Sequence, residues 1–126
     1  MTTNSILSTI KKLCHIDETD DAFDLDITIH INTAIFELEQ VGCPPFIVTS
    51  ATQTWTDYLG TSKNLEAVKT CIYLKVKLVF DPPANSFLVD SINRMIDQYM
   101  WRIRNNIEQE VQTSGGSTGT INQNEG

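Results

Sequence analysis

The chain has few basic residues and no long hydrophobic run, and these two absences narrow its class. It holds 9 Lys and Arg against 16 Asp and Glu among 126 residues, for a formal net charge of −7. Proteins that grip duplex DNA neutralise phosphates with clustered basic side chains, so a DNA clamp is not expected. No apolar run approaches the ~20 residues of a membrane span, and the N-terminus does not resemble a signal peptide. We therefore expect a protein that folds in a cytosol and contacts no membrane.

Cysteine and histidine are also scarce. Cys14, Cys43 and Cys71 are odd in number, far apart and in no C-x-x-C arrangement, which disfavours a disulfide framework. Together with His15 and His30 they match no standard zinc spacing. We expect no metal centre and a reducing environment.

Catalytic and ligand-binding motifs are missing as well. The sequence contains no nucleotide-binding glycine loop, H-E-x-x-H or G-x-S-x-G motif. The acidic residues 17–21 are not a calcium loop, because the sixth position from Asp17 is Ala22 instead of Gly and the twelfth is Thr28 instead of Glu. Asp24 and Asp26 diverge on a predicted helix and cannot share a proton-transfer task. We expect neither a cofactor nor an enzyme.

What the chain does have is enough apolar sequence for one core. With 40% hydrophobic residues in 126, it is long enough for one compact domain and too short for two. We predict a helical domain over residues 1–110. Residues 111–126 are rich in Gly, Ser and Thr and bury little, so they are predicted to be a flexible tail that becomes ordered on assembly.

Helical periodicity dominates that domain. Apolar residues recur every three or four positions in each long segment, which predicts an all-α fold: a small bundle of four to five helices with a long C-terminal helix. The predicted order is a short helix capped by Thr3, Asn4 or Ser5 with Lys11 and Lys12 outside, a helix from Asp20 to Val41 stopped by Gly42, a helical turn at residues 55–59, a central helix at 65–80, and a last helix from Ser86 to about Gln109.

Residues 23–31 permit a second interpretation. Phe23, Leu25, Ile27, Ile29 and Ile31 alternate with polar residues, which is the period of a half-buried strand. The residues that follow continue a helical stripe with no turn signal between the two parts. We therefore predict a helix here, and expect Phe46, Ile47 and Val48 to form an extended loop or an edge strand.

Several large apolar side chains fall outside the predicted core faces. Leu25, Ile29 and Phe36 form a second strip on the second helix, which a small bundle would struggle to cover, so we expect them to contact a neighbouring subunit. In the last helix the core stripe consists of residues 88, 89, 92, 95, 96, 99, 100, 103 and 107. Trp101 lies roughly 180° from Ile92 on a 3.6-residue turn and, like Phe87, off that stripe. Trp101 either lies over neighbouring arginine stems or contacts a partner protein, and the polar surroundings favour the partner.

The order of elements resembles the head-to-tail connector proteins of long-tailed bacteriophages, also called adaptor or head-completion proteins. The resemblance covers residues 5–108 and is carried by a short leading helix, an acidic turn and the segments LEQVG at 38–42, WTDYLG at 55–60, DPP at 81–83 and IDQY at 96–99. It implies a small helical bundle that assembles beneath the portal as a ring, usually of about twelve copies.

The resemblance also implies partners and surfaces. The final helix and tail would reach the portal, which makes Tyr99, Trp101, Arg102, Arg104, Asn105, Glu108 and Val111 the portal-contact candidates. The loop at residues 44–54 and the uncovered apolar residues would meet neighbouring subunits or the next connector, stopper or tail protein, which makes Leu25, Ile29, Phe36, Phe46, Ile47, Val48 and Phe87 the subunit-interface candidates. DNA would pass through the lumen without specific binding, in a virion assembled in the host cytoplasm.

Two other classes remain as alternatives. A helical regulatory or DNA-binding module would place Arg94, Arg102 and Arg104 on phosphates, and its duplex affinity would fall steeply with salt. An enzyme accessory subunit is the third class, for which the sequence offers no specific feature.

Overall fold

The computed structural model describes residues 5–116 of the chain, with side chains described over residues 5–109. This part of the chain is helical, as predicted. Its elements are α1 (Ile6–Leu13), α2 (Asp24–Glu39), α3 (Trp55–Leu59), α4 (Leu65–Phe80) and α5 (Ser86–Gly116). None of the helices within the described part is both long and apolar enough to span a bilayer.

The central helix is α4, which packs extensively against both α2 and α5. Its apolar residues lie on two sides, so it can bury both faces between neighbours. The turn at Pro82 and Pro83 reverses the chain, because proline lacks the amide that would continue the helix. At the other end of this hairpin, Asn106 Nδ2 donates to Asn64 Oδ1 over 3.0 Å. Thus α4 and α5 are antiparallel, and α5 continues past the beginning of α4.

The segment with strand-like alternation is helical, and the predicted buried stripe of α2 is confirmed except at Val41, which lies beyond the helix and is half-buried. Ile27, Ile31, Ala34, Ile35 and Leu38 are all buried. The branched residues of this segment are tolerated in a helix because one of its sides lies against α1 and α4, so tertiary packing outweighs the local preference for a strand.

The predicted ends of α2 were wrong by a few residues. The helix begins at Asp24 instead of Asp20, because Asp20 Oδ1 accepts a hydrogen bond from the Ala22 amide (3.1 Å) and thereby closes a turn. It ends at Glu39, two residues before Val41. Gly42 has φ of 112°, and a Cβ there would lie 3.0 Å from Ile107 Cγ2. A residue larger than glycine at this position would therefore crowd the Ile107 side chain.

The helix α1 packs on the bundle as predicted, but Lys11 is buried instead of exposed. Ser5 is its N-cap, accepting from the Ser8 amide at 3.3 Å; Thr3 and Asn4 lie outside the described residues. Lys11 was predicted to face solvent but is only 3% exposed. Its Nζ lies 2.8 Å from Asp24 Oδ1 and donates to the Glu18 carbonyl over 3.1 Å. The ammonium is buried because the ion pair with Asp24 and the hydrogen bond to Glu18 replace its water.

The segment between α2 and α4 is irregular but firmly attached. Asn32 in α2 bonds both backbone groups of Val48, accepting from its amide at 2.7 Å and donating to its carbonyl over 3.0 Å. The short α3 then brings Trp55 into the core, where Nε1 donates to Thr9 Oγ1 over 3.0 Å. These bonds define the position of the intervening loop without a strand.

The last helix is longer than predicted. Its backbone continues to Gly116 instead of ending near Gln109, since Glu110 and Gln112 are good helix formers and no proline or glycine occurs between residues 109 and 115. The predicted boundary at residue 110 therefore falls inside α5. Residues 117–126 of the predicted tail lie outside the described residues.

Candidate protein-interaction surfaces

Within residues 5–109, no group of three or more His, Cys, Asp or Glu side chains is placed to hold a metal ion. The thiols are poor nucleophiles, because burial raises the pKa of Cys14 and Cys43, and raises that of Cys71 to about 11. The features that stand out are exposed apolar side chains.

The first such surface lies on α2. We call it the α2 ridge and define it as Leu25, Ile29 and Phe36, whose side chains are 73%, 52% and 62% exposed. At 100° per residue these three positions fall within about 40° of one another. They lie nearly opposite the buried stripe, so α2 is apolar on its outer side as well as on its inner one. A monomer leaves this ridge in water.

The loop after α2 adds to one side of the ridge. Asn32, which lies between Ile29 and Phe36 along the ridge, holds the backbone of Val48, and the preceding Ile47 is 66% exposed. The other two loop candidates point elsewhere. Val48 is buried in the core, and Phe46 is half-buried and stacks on Tyr58 with ring centroids 5.1 Å apart. Of the three, only Ile47 is accessible to a neighbouring subunit.

The charged side chains of α2 are all acidic. The helix contains Asp24, Asp26, Glu37 and Glu39 and no Lys or Arg. Asp24 is paired with Lys11, and Glu37 with Lys75 Nζ at 2.6 Å. Asp26 and Glu39 make no ion pair among the described side chains. The α2 ridge is thus an apolar line with unneutralised acids beside it.

The second surface lies on α5. We call it the α5 face and define it as Phe87, Leu88, Met95 and Trp101, which are 68%, 50%, 42% and 66% exposed. The prediction that Leu88 and Met95 belong to the core was wrong. Ile96 and Ile103 are buried as predicted, and residues 92, 99, 100 and 107 pack against the core while remaining partly accessible.

The α5 face consists of two lines of side chains with a seven-residue spacing. Phe87, Arg94 and Trp101 form one line, and Leu88, Met95 and Arg102 form the other. At 100° per residue the lines lie about 100° apart. Ser91 and Gln98 occupy the strip between them, so this strip is shallower than its borders.

The predicted portal-contact residues cluster at the C-terminal half of α5. Trp101 stands between two depressions of about 200 and 400 Å³, one bordered by Asn105 and the other by Gln98. Arg102 is exposed and Arg104 pairs with Glu108 over 3.4 Å. Tyr99 and Asn105 are half-buried, and the side chain of Val111 lies outside the described residues. Exposed tryptophans are among the side chains that most often anchor protein interfaces.

Helical periodicity did not predict that Leu88 and Met95 of α5 are exposed. Leu88 and Met95 have the correct helical spacing for a core face, so periodicity alone places them inside. Nothing in that spacing separates these two residues from Ile96 and Ile103, which are buried.

The chain is similar to a known protein family. A family model described as Phage connector protein matches residues 6–110. No curated protein matches the chain, and no solved structure does.

Proposed function

The chain belongs to the phage connector protein family, and from this membership we propose that it is a ring-forming subunit of the head-to-tail connector. In the proposed role, copies dock beneath the portal and extend the DNA conduit towards a tail-proximal connector, stopper or tail protein. The family is structural, and virion assembly, genome packaging and ejection are the processes that such a conduit serves.

The observation that carries this proposal is the apolar surface left uncovered on two separate helices. Leu25, Phe36, Phe87 and Trp101 are each more than 60% exposed. Monomeric proteins rarely display large apolar side chains in continuous strips, and such strips are typical of surfaces that meet other proteins. A connector subunit requires at least two of them, one for its neighbours and one for the portal.

The C-terminal half of α5 is the proposed portal contact. Because α5 continues past the start of α4, its last turns project beyond the hairpin, with Trp101, Arg102 and Arg104 leading to them. Aromatic and arginine side chains are the residues that most often dominate binding energy at interfaces. In this arrangement the tail at residues 111–126 lies on the portal side.

The charge of the chain suits a channel for DNA. Each copy carries a formal charge of −7, so a ring of many copies is acidic overall. A lumen with that charge repels phosphate over the roughly 8–10 Å that physiological salt permits. DNA would therefore slide through the lumen without binding to a specific site.

The portal contact is tested with Trp101→Ala. Trp101 is exposed and makes no core contact, so we expect the free energy of unfolding to change by less than ~1 kcal/mol. Incorporation into particles should nevertheless drop at least tenfold, because an interface anchor often contributes ~2 kcal/mol or more. Quantitative mass spectrometry of purified particles and electron microscopy of mixtures with the portal protein of the same phage measure this.

Leu13→Ala is the matched control, since Leu13 is 40% exposed on α1 and belongs to neither surface. It should be incorporated like the wild type. A wild-type protein that stays monomeric beside an intact portal would overturn the proposed function. A Trp101→Ala protein that fills particles normally would remove the portal assignment.

A further inference from the structure

The two apolar surfaces are separated by the helix between them. The helix α4 packs on α2 and on α5, whereas α2 and α5 make at most minor contact with each other. Near one end, the turn after α2 approaches α5, where a Cβ on Gly42 would lie 3.0 Å from Ile107 Cγ2. The α2 ridge and the α5 face are therefore two different surfaces of one subunit, and one copy cannot use one to cover the other.

Their shapes are complementary. The α2 ridge is narrow, because its members fall within about 40°, and its exposed positions continue in steps of three and four residues from Leu25 to Phe36 over about 16 Å. The α5 face is wide, with two raised lines and a shallow strip over Ser91 and Gln98 between them. From Phe87 to Gln98 this strip also extends about 16 Å. A ridge of one helix lying in the groove of another is the ordinary way in which helices pack.

Their charges are complementary too. The free carboxylates beside the α2 ridge are Asp26 and Glu39, and α2 carries no Lys or Arg. On the α5 face the charged residues are Arg94 and Arg102. The acids Asp90 and Asp97 lie within one turn of Arg94, on the outer side of the Phe87 line and about 40° or more from its mean direction. Arg94 lies nearer the strip than either acid, so it can meet the carboxylates beside the α2 ridge of another copy, whereas two α2 ridges repel each other.

We propose that the α2 ridge of one copy of this chain lies in the N-terminal half of the α5 face of the next copy. This inference rests on the proposed function and adds which surfaces join neighbouring subunits. Because the two partners present different surfaces, the contact is head-to-tail, and repeated head-to-tail contacts close into a ring when the rotation between copies permits. Within one subunit α4 lies between α2 and α5, and in the proposed contact α5 also packs against α2 of the next subunit.

This arrangement divides the α5 face between two partners. The neighbouring subunit covers Phe87, Leu88 and Met95, in the half that lies near the end of α4. Trp101 lies beyond that half and remains available for a different protein. The long α5 thus serves both contacts without competition between them.

Two single-surface variants test the proposal. Ile29→Asp blocks the α2 ridge and leaves the α5 face intact, and Leu88→Asp does the opposite. Both positions are about half exposed, so we expect near-native melting temperatures. Each variant alone should lose multi-copy assembly, because a charge placed in an apolar contact weakens it at least ~10-fold. An equimolar mixture should form 1:1 dimers, since one intact ridge and one intact face remain.

Sedimentation equilibrium and native mass spectrometry distinguish the outcomes, with the purified chains alone and with the portal protein of the same phage. Leu13→Asp is the matched control and should assemble like the wild type. Should either aspartate variant melt early, Ile29→Asn or Leu88→Asn replaces it. If a variant assembles like the wild type, if Ile29→Asp alone forms homodimers, or if the mixture stays monomeric, this interface is wrong while the connector function stands. If the wild type fails to assemble even with the portal protein, the proposed function itself fails.

Discussion

At the scale of single residues, Lys11 shows how a charged side chain becomes part of the core. It follows Leu7 by four positions and precedes Cys14 by three, so it lies in an apolar line of α1. Lys11 can be buried in this line because its ammonium forms an ion pair with Asp24 and donates a hydrogen bond to the Glu18 carbonyl. Lysine at this position links α1 to the turn before α2 and to the first residue of α2.

Replacing Lys11 should therefore destabilise the fold although the lysine lies in a short helix. We expect Lys11→Ala to lower the free energy of unfolding by ~1–3 kcal/mol, because it removes a buried stem and leaves Asp24 without its cation; Asp24 keeps partial access to water, which limits the cost. Urea denaturation monitored by circular dichroism measures this. The neighbouring Lys12 is exposed, and Lys12→Ala should change stability by less than ~0.5 kcal/mol. Equal effects of the two changes would contradict the role given to Lys11.

At the scale of elements, α3 is the shortest helix and depends most on its cap. Thr54 Oγ1 accepts from the Asp57 amide at 3.1 Å, and Asp57 Oδ2 accepts from the Thr54 amide at 2.9 Å. This capping box satisfies two amides in a helix of five residues. The helix in turn places Trp55 and Tyr58 in the core.

Thr54→Ala is expected to reduce the free energy of unfolding by ~1 kcal/mol, since it removes one half of the capping box. Amide exchange should quicken across residues 55–59 before the rest of the bundle opens. Thr61→Ala, in the exposed loop after α3, serves as the control and should have little effect. Unchanged exchange in Thr54→Ala would show that tertiary contacts alone hold α3.

The elements were more predictable than their ends. Each long helix follows from periodicity, and α2 is helical despite its β-branched alternation because its stripe matches the surface of the bundle. The beginning of α2 could not be predicted, since it depends on whether Asp20 caps the helix or closes a turn. Exposure of Leu25 and Phe36 followed from helical spacing. Burial of Val48 did not, because an irregular segment has no period and its position depends on Asn32.

At the scale of the whole molecule, the centre of the core contains ionisable groups that stay neutral. Burial raises the pKa of Tyr58 far above its usual value, with Cys43 and Cys71 nearby. Burial also raises the pKa of Cys71 from 9.0 to about 11. The folded state therefore binds protons that the unfolded state releases between pH 9 and 11, so stability falls as the pH rises through this window.

We expect the unfolding midpoint in urea to be nearly constant from pH 7 to 8 and to decline from pH 9 to 11. The Cys71 thiol alone contributes up to ~1.4 kcal/mol per pH unit within that window. Cys71→Ala should be less stable at pH 7, because it leaves a small cavity, but should lose less stability between pH 9 and 11. Measurements under reducing conditions exclude oxidation. Parallel pH profiles for the two proteins would show that the pKa of Cys71 is the same in the folded and unfolded states.

The unbroken course of α5 also has a mechanical consequence. Its 31 residues form a rod about 46 Å long, held near its middle by the buried Ile103. A tilt of about 10° around that pivot moves the Phe87 end sideways by about 4 Å. The opposite end of α5 moves in the other direction. A protein bound at one end of the helix therefore changes the orientation of the other end. Binding at Phe87 thus shifts the backbone of residues 110–116, at the other end of α5.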